Sequence, residues 1–142
     1  MFRIILIYFL LYPFIIRDNK NLTMKISLLE INMNPKIELK IISTLNKTLL
    51  LSKPNYYPIL IISLYDLNGK PYSPSKIHSS IILKKEVFNL EVNKEKIFEY
   101  KSLKSLYPFV DYRKVSKIVA VWYYNAFKND LSFISDTLII NH

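Results

Sequence analysis

The chain has 142 residues, a formal charge of +9, a single glycine and no cysteine. That length supports one domain, and 51% hydrophobic residues are enough for a sizeable core, which excludes global disorder. The lack of cysteine excludes a disulfide framework, a thiolate nucleophile and a cysteine-ligated zinc, while Gly69 alone cannot write a dinucleotide fingerprint, a phosphate-binding loop or a nucleophile elbow.

Residues 4–16 form an apolar run broken only by Pro13, and Arg17-Asp18-Asn19-Lys20-Asn21 ends it. With Met1-Phe2-Arg3 ahead of it, the segment has the positive start and apolar core of a secretory signal. It is shorter than the roughly 20 apolar residues that span a bilayer. Residues 14–18 lack the small side chains that signal peptidase needs, which leaves an uncleaved anchor, or a true start at Met24, as alternatives. The expected organisation is a signal peptide or anchor over 1–21 and one domain over 22–142. Export to the periplasm, cell surface or medium is expected, with a cytoplasmic location if Met24 is the start. Membrane contact is expected only through this leading segment.

From Leu22 onward apolar residues mostly alternate with polar ones, the two-residue period of half-buried strands. Leu22, Met24, Ile26 and Leu28 mark a first strand over 22–31. Residues 32–36, with Pro35, break it. Ile37, Leu39 and Ile41 against Glu38, Lys40 and Ile42 mark the second, and residues 48–51 a short third. Pro54-Asn55-Tyr56-Tyr57-Pro58 is a rigid aromatic loop. Residues 59–67 are apolar on both faces, which predicts a central strand covered on each side. Asn68-Gly69 after that run predicts a two-residue type I′ hairpin turn, in which both central residues have positive φ.

Residues 71–80 read as a loop. Strands resume over 80–84 and 87–92, the latter pointing Phe88, Leu90 and Val92 to one face. Residues 97–103 suit another strand, although Tyr100, Leu103, Tyr107 and Tyr112 also follow a helical spacing on a crossover that Pro108 keeps short. Residues 114–125 are the clearest strand, with Val115, Lys117, Val119, Val121 and Tyr123 on one face and Ile118, Ala120, Trp122 and Tyr124 on the other. Residues 125–130 form a polar turn, and 133–140 the last strand. Roughly seven or eight short antiparallel strands of this spacing indicate an all-β sandwich.

Ile37-Glu38-Leu39-Lys40-Ile41, Leu64-Tyr65-Asp66-Leu67-Asn68-Gly69-Lys70, Lys117-Ile118-Val119-Ala120-Val121-Trp122-Tyr123-Tyr124 and Ser135-Asp136-Thr137-Leu138-Ile139-Ile140 together give a pattern. It resembles the immunoglobulin-like β-sandwich domains of small exported bacterial proteins of unassigned function. The resemblance covers most of 22–142 and implies a sandwich without the antibody-type disulfide. The nearest candidate for that fold's corner tyrosine is Tyr112. Fold of this kind does not carry function.

Chemistry is sparse. His78 lies in a serine-rich loop with no marked carboxylate, and His142 is the other histidine. Glu91, Glu95 and Glu99 sit among lysines and read as exposed charge pairs, and Asp111 beside Arg113 as a structural pair. Asp66-Leu67-Asn68-Gly69 echoes a calcium loop without its further acidic ligands. No catalytic residue, cofactor or metal site is expected. The lysine clusters are interleaved with Glu86, Glu95, Glu99 and Asp111, a solvated basic surface rather than a specific nucleic-acid site. The aromatics Tyr56, Tyr57 and Tyr123 remain as candidate partner contacts. Strand alternation separates Trp122 from Tyr123 and assigns Trp122 to the core. The leading expectation is a non-enzymatic exported module that presents loops or a sheet edge to a protein partner. The alternatives are a protease inhibitor using Pro54 to Pro58 or Pro71 to Pro74 as its loop and, less favoured, a carbohydrate-binding or hydrolytic domain.

Overall fold

The computed structural model describes residues 21–30, 35–55, 59–75, 85–100, 103–128 and 130–142. Alternation of apolar and polar residues produces eight strands: Leu22–Glu30 (β1), Lys36–Ser43 (β2), Leu49–Ser52 (β3), Leu60–Asp66 (β4), Val87–Leu90 (β5), Glu95–Tyr100 (β6), Val115–Trp122 (β7) and Ile134–Ile139 (β8). They pair antiparallel as β1-β2-β6, β4-β7-β8 and the two-stranded β3-β5. With β1, β2 and β6 standing for A, B and E, and β4, β7 and β8 for C, F and G, these are the two sheet orders of the immunoglobulin sandwich. The departure is β5, which pairs with β3 instead of extending the sheet beyond β6.

The inward rows close the core. Ile37, Leu39 and Ile41 of β2 are fully buried, as are Leu64 of β4 and Ala120 and Trp122 of β7. Each buried Ile or Leu contributes about 1.5–3 kcal/mol by leaving water. Trp122 is core, as alternation requires, and its indole N–H donates to the Ser52 carbonyl at 3.0 Å. Phe88 stacks on Trp122 at 6.1 Å and meets Phe98 edge-on at 4.9 Å, so β5 is packed against both larger sheets. At one seam β1 and β8 meet, and the backbone N–H of Ile26 donates to the Asp136 carboxylate at 2.8 Å.

The crossover from β6 to β7 holds a helical turn, Leu103–Leu106 (α1), and a 3-10 turn at Tyr112–Lys114. Asp111 caps the latter by accepting from the Arg113 backbone N–H (3.2 Å), Nε (2.9 Å) and Nη2 (3.1 Å). The hydrogen bond from Arg113 holds the Asp111 carboxyl below the usual carboxylate range. Tyr112 points its hydroxyl back at the carbonyls of Tyr107 (3.0 Å) and Leu103 (3.2 Å). A tyrosine before strand F bonded to backbone a few residues upstream is the tyrosine corner of immunoglobulin-like domains. Tyr107 in turn donates to the Ile62 carbonyl of β4 at 2.8 Å, which ties the crossover to the second sheet.

Several expectations need correction. Val115 lies on the core side with Ile118, because the β4-β7 register shifts between Tyr65 and Asp66 and a bulge adds one residue to the alternation. Val92 leaves the row of Phe88 and Leu90 and enters a turn where Asn93 has φ +53°. Both competing readings are met in succession, by strand β6 over Glu95–Tyr100 and then by α1 over Leu103–Leu106. The turn after β4 is not type I′. Only Gly69 has positive φ (+77°), the Gly69 N–H bonds the Asp66 carbonyl (3.0 Å), and Asp66 N–H bonds the Lys70 carbonyl (2.9 Å). This is a type I turn followed by a left-handed glycine. The Asp66 carboxylate selects it by accepting from the N–H groups of Asn68 and Lys70. Finally, only one face of β4 is buried: Leu60, Ile62 and Leu64 are buried, while Ile61, Ser63 and Tyr65 on the other are half-buried. The expected leader and the strand over 80–84 lie outside the described residues. Among those described, no helix is long and apolar enough to cross a membrane.

Candidate partner-binding loop end

One end of the sandwich is built from the β3–β4 connection and the β7–β8 loop. The residues that finish β7 clamp the connection at both of its feet. The Ser52 N–H donates to the Tyr124 carbonyl and the Tyr123 N–H to the Ile59 carbonyl, both at 2.8 Å. The first of these feet is braced further by Glu86. Its backbone carbonyl accepts from the Lys53 N–H (2.9 Å), and its carboxylate lies 2.9 Å from Asn55 Nδ2 and 3.5 Å from Lys53 Nζ.

The β7–β8 loop is organised by one carboxylate. Asp130 accepts from the Ser132 N–H at 2.9 Å, from the Ser132 hydroxyl, and from Asn125 Nδ2 at 3.1 Å. A short side chain that bonds its own backbone two residues on is an Asx turn. Lys128 crosses to the Leu50 carbonyl at 3.2 Å and ties the loop to β3. Held this way, Leu131 is 71% exposed and Phe133 36% exposed, and the Phe133 ring meets the Tyr123 ring at 5.7 Å. The result is an apolar patch with one phenol, on a loop braced by the hydrogen bonds of Asp130 and Lys128.

Of the residues expected to contact a partner, Tyr123 is half-buried in this patch, whereas Tyr56 and Tyr57 lie outside the described residues, as does His78. Leu131 and Phe133 were not anticipated. Their signal is Asp130-Leu131-Ser132, an Asx-turn sequence that props the intervening apolar residue outward.

The remaining carboxylates are elsewhere: Glu95 pairs with Lys40 at 3.5 Å, and Glu91 and Glu99 are exposed. Among the described residues no group of three or more His, Asp or Glu side chains is placed to hold a metal ion. The His142 ring lies 2.7 Å from the Val115 carbonyl, beside the start of β7 and away from this end. Compared with protein-family models and with curated proteins, the chain matches none.

Proposed function

We propose that this protein is a non-enzymatic binding module, exported through its leading segment, that docks on a protein partner with the β7–β8 loop end. The observation that carries the reading is the fixed exposure of Leu131 and Phe133 beside Tyr123. An apolar patch on an already ordered loop loses little conformational entropy on binding, and aromatic anchors of this kind dominate interface energetics. The inhibitor reading finds less support. The 71–75 segment is tied to the body by Tyr72 N–H on the Leu64 carbonyl (2.9 Å) and by Ser75 N–H on that of Leu106 (2.7 Å). Backbone so engaged is not free to enter a protease cleft.

The test is a photo-crosslinking residue at position 131 of the full chain, expressed in its native host. A discrete crosslinked protein is expected, lost on Phe133→Asp and retained on Ile97→Asp, which lies on the other sheet. No crosslink, or one indifferent to Phe133→Asp, would overturn the reading, as would turnover of a defined substrate by the purified protein.

A further inference from the structure

The sandwich end opposite the β7–β8 loop is formed by the turn after β4 and by the crossover that enters β7, because Asp66 and Val115 are register partners. Three of the four most exposed large apolar side chains among the described residues lie here: Phe109 at 98%, Leu67 at 66% and Ile139 at 59%. Phe109 stands at the tip of the crossover, between Pro108 and the Val110 N–H that closes on the Tyr107 carbonyl at 3.4 Å. Tyr107 behind it is buried and bonded to the Ile62 carbonyl. The turn is thus fixed to the core while the Phe109 ring touches almost nothing of its own chain.

The same end is basic. Lys70 in the turn and Arg113 and Lys114 in the 3-10 turn are exposed, and Lys117 is the register partner of Ile139. Two carboxylates share this end, Asp66 and Asp111, and the charges of both reach the Tyr72 phenol. Each is already engaged, Asp66 by the N–H groups of Asn68 and Lys70, and Asp111 by the Arg113 guanidinium. Positive charge therefore predominates around the apolar tips.

We infer that this end docks on an anionic lipid bilayer, with Phe109 and Leu67 inserted among the headgroups and Lys70 and Lys114 against the lipid phosphates. A convex tip bearing one bare aromatic ring suits a soft apolar phase, which needs no preformed pocket. Apolar side chains flanked by lysines are the pattern of interfacial binding. An acidic protein surface would answer the lysines and leave Phe109 in contact with charge. Burial of Phe109 is worth about tenfold or more in affinity, and each lysine near an anionic surface about fivefold. So few contacts give a reversible attachment, not an anchor. Val115 to Trp122 spans ~23 Å at ~3.3 Å per residue, so Leu131 and Phe133 stay clear of the lipid. This contact is additional to the one expected of the leading segment. It is also independent of the loop-end reading, because it uses other residues.

The test is fluorescence of the full chain mixed with phosphatidylcholine vesicles, with and without phosphatidylglycerol. The cysteine-free sequence lets one environment-sensitive dye be attached at Leu67→Cys or, at the other end, at Leu131→Cys. With phosphatidylglycerol the dye at 67 should shift to the blue, and the dye at 131 should not. Phe109→Asp should weaken binding read at 67 by at least about tenfold, and Lys114→Gln by about fivefold, whereas Ile97→Asp should leave it unchanged. Phe109→Ser replaces Phe109→Asp if circular dichroism shows the latter unfolded. No response at 67 overturns the inference, as does one that survives substitution of Phe109 or is equal without phosphatidylglycerol. Equal responses at 67 and 131 overturn it too, because the leading segment would then be carrying the chain to the vesicle. A photo-crosslinker at 109 that captures a discrete protein in the native host would also overturn it, and would assign this end to a protein contact.

Discussion

Replacing Tyr112 by Phe removes one hydroxyl and leaves the ring in place, so it isolates the hydrogen bonds of the corner. Those bonds are unequal. The Leu103 carbonyl also accepts from the Tyr107 N–H at 2.9 Å, so it keeps a partner when the hydroxyl is lost. The Tyr107 carbonyl, 3.0 Å from the hydroxyl, is otherwise approached by the Val110 N–H at a long 3.4 Å. The substitution therefore leaves one buried carbonyl poorly satisfied, at a cost of about 1–2 kcal/mol. For a domain of this size that corresponds to a fall in melting temperature of roughly 4–8 °C. Urea unfolding followed by circular dichroism should show the midpoint drop with an unchanged slope, because the buried surface is the same. Tyr123→Phe, whose ring lies at the loop-end patch, serves as control and should change the midpoint little. If Tyr112→Phe matches wild type within about 0.3 kcal/mol, the corner bonds contribute nothing net and the assignment of Tyr112 as the structural lock of the crossover fails.

Burial, and secondarily the neighbouring Tyr107, pushes the phenols of Tyr100 and Tyr112 up to about 12. Raised folded-state values mean that their contribution is complete below the unfolded value of about 10 and is lost as pH rises through about 12. The melting temperature should therefore fall across that alkaline window, and less steeply in Tyr112→Phe. Asp136→Ala should cost about 1–3 kcal/mol by orphaning the Ile26 N–H, and hydrogen exchange at that amide should accelerate selectively. Gly69→Val should cost about 1–2 kcal/mol through its positive φ alone, since an added Cβ meets nothing within 4 Å. Gly69→Asn should cost less, and partner crosslinking at position 131 should survive both; equal melting temperatures for Val and Gly would refute the turn geometry.

Strand alternation was readable wherever one face meets the core: the Ile37, Leu39, Ile41 row and the Trp122 side of β7 needed only the two-residue period. It misassigned Val115 because a bulge changes the count without leaving a composition signal. The turn at Gly69 was legible as a turn but not as a type, since the Asp66 carboxylate, rather than the Asn-Gly pair, decides the geometry. Tyr123 was legible at the candidate site as an aromatic at a strand end. Phe133 and Leu131 were not, because their exposure is set by Asp130 and by a contact between rings ten residues apart in sequence.

The seam between β1 and β8 has a consequence for biogenesis. The bond from Ile26 to Asp136 joins residues separated by 110 positions. While the chain is being made, β1 can pair with β2 at once, yet its other side has no neighbour until the eighth strand arrives. During that interval an apolar strand with free backbone donors is available to any other nascent copy. A carboxylate delivered by the last strand thus caps one donor of that edge, at Ile26, and slow or interrupted synthesis of the final segment should yield more insoluble chain even though every earlier strand is complete.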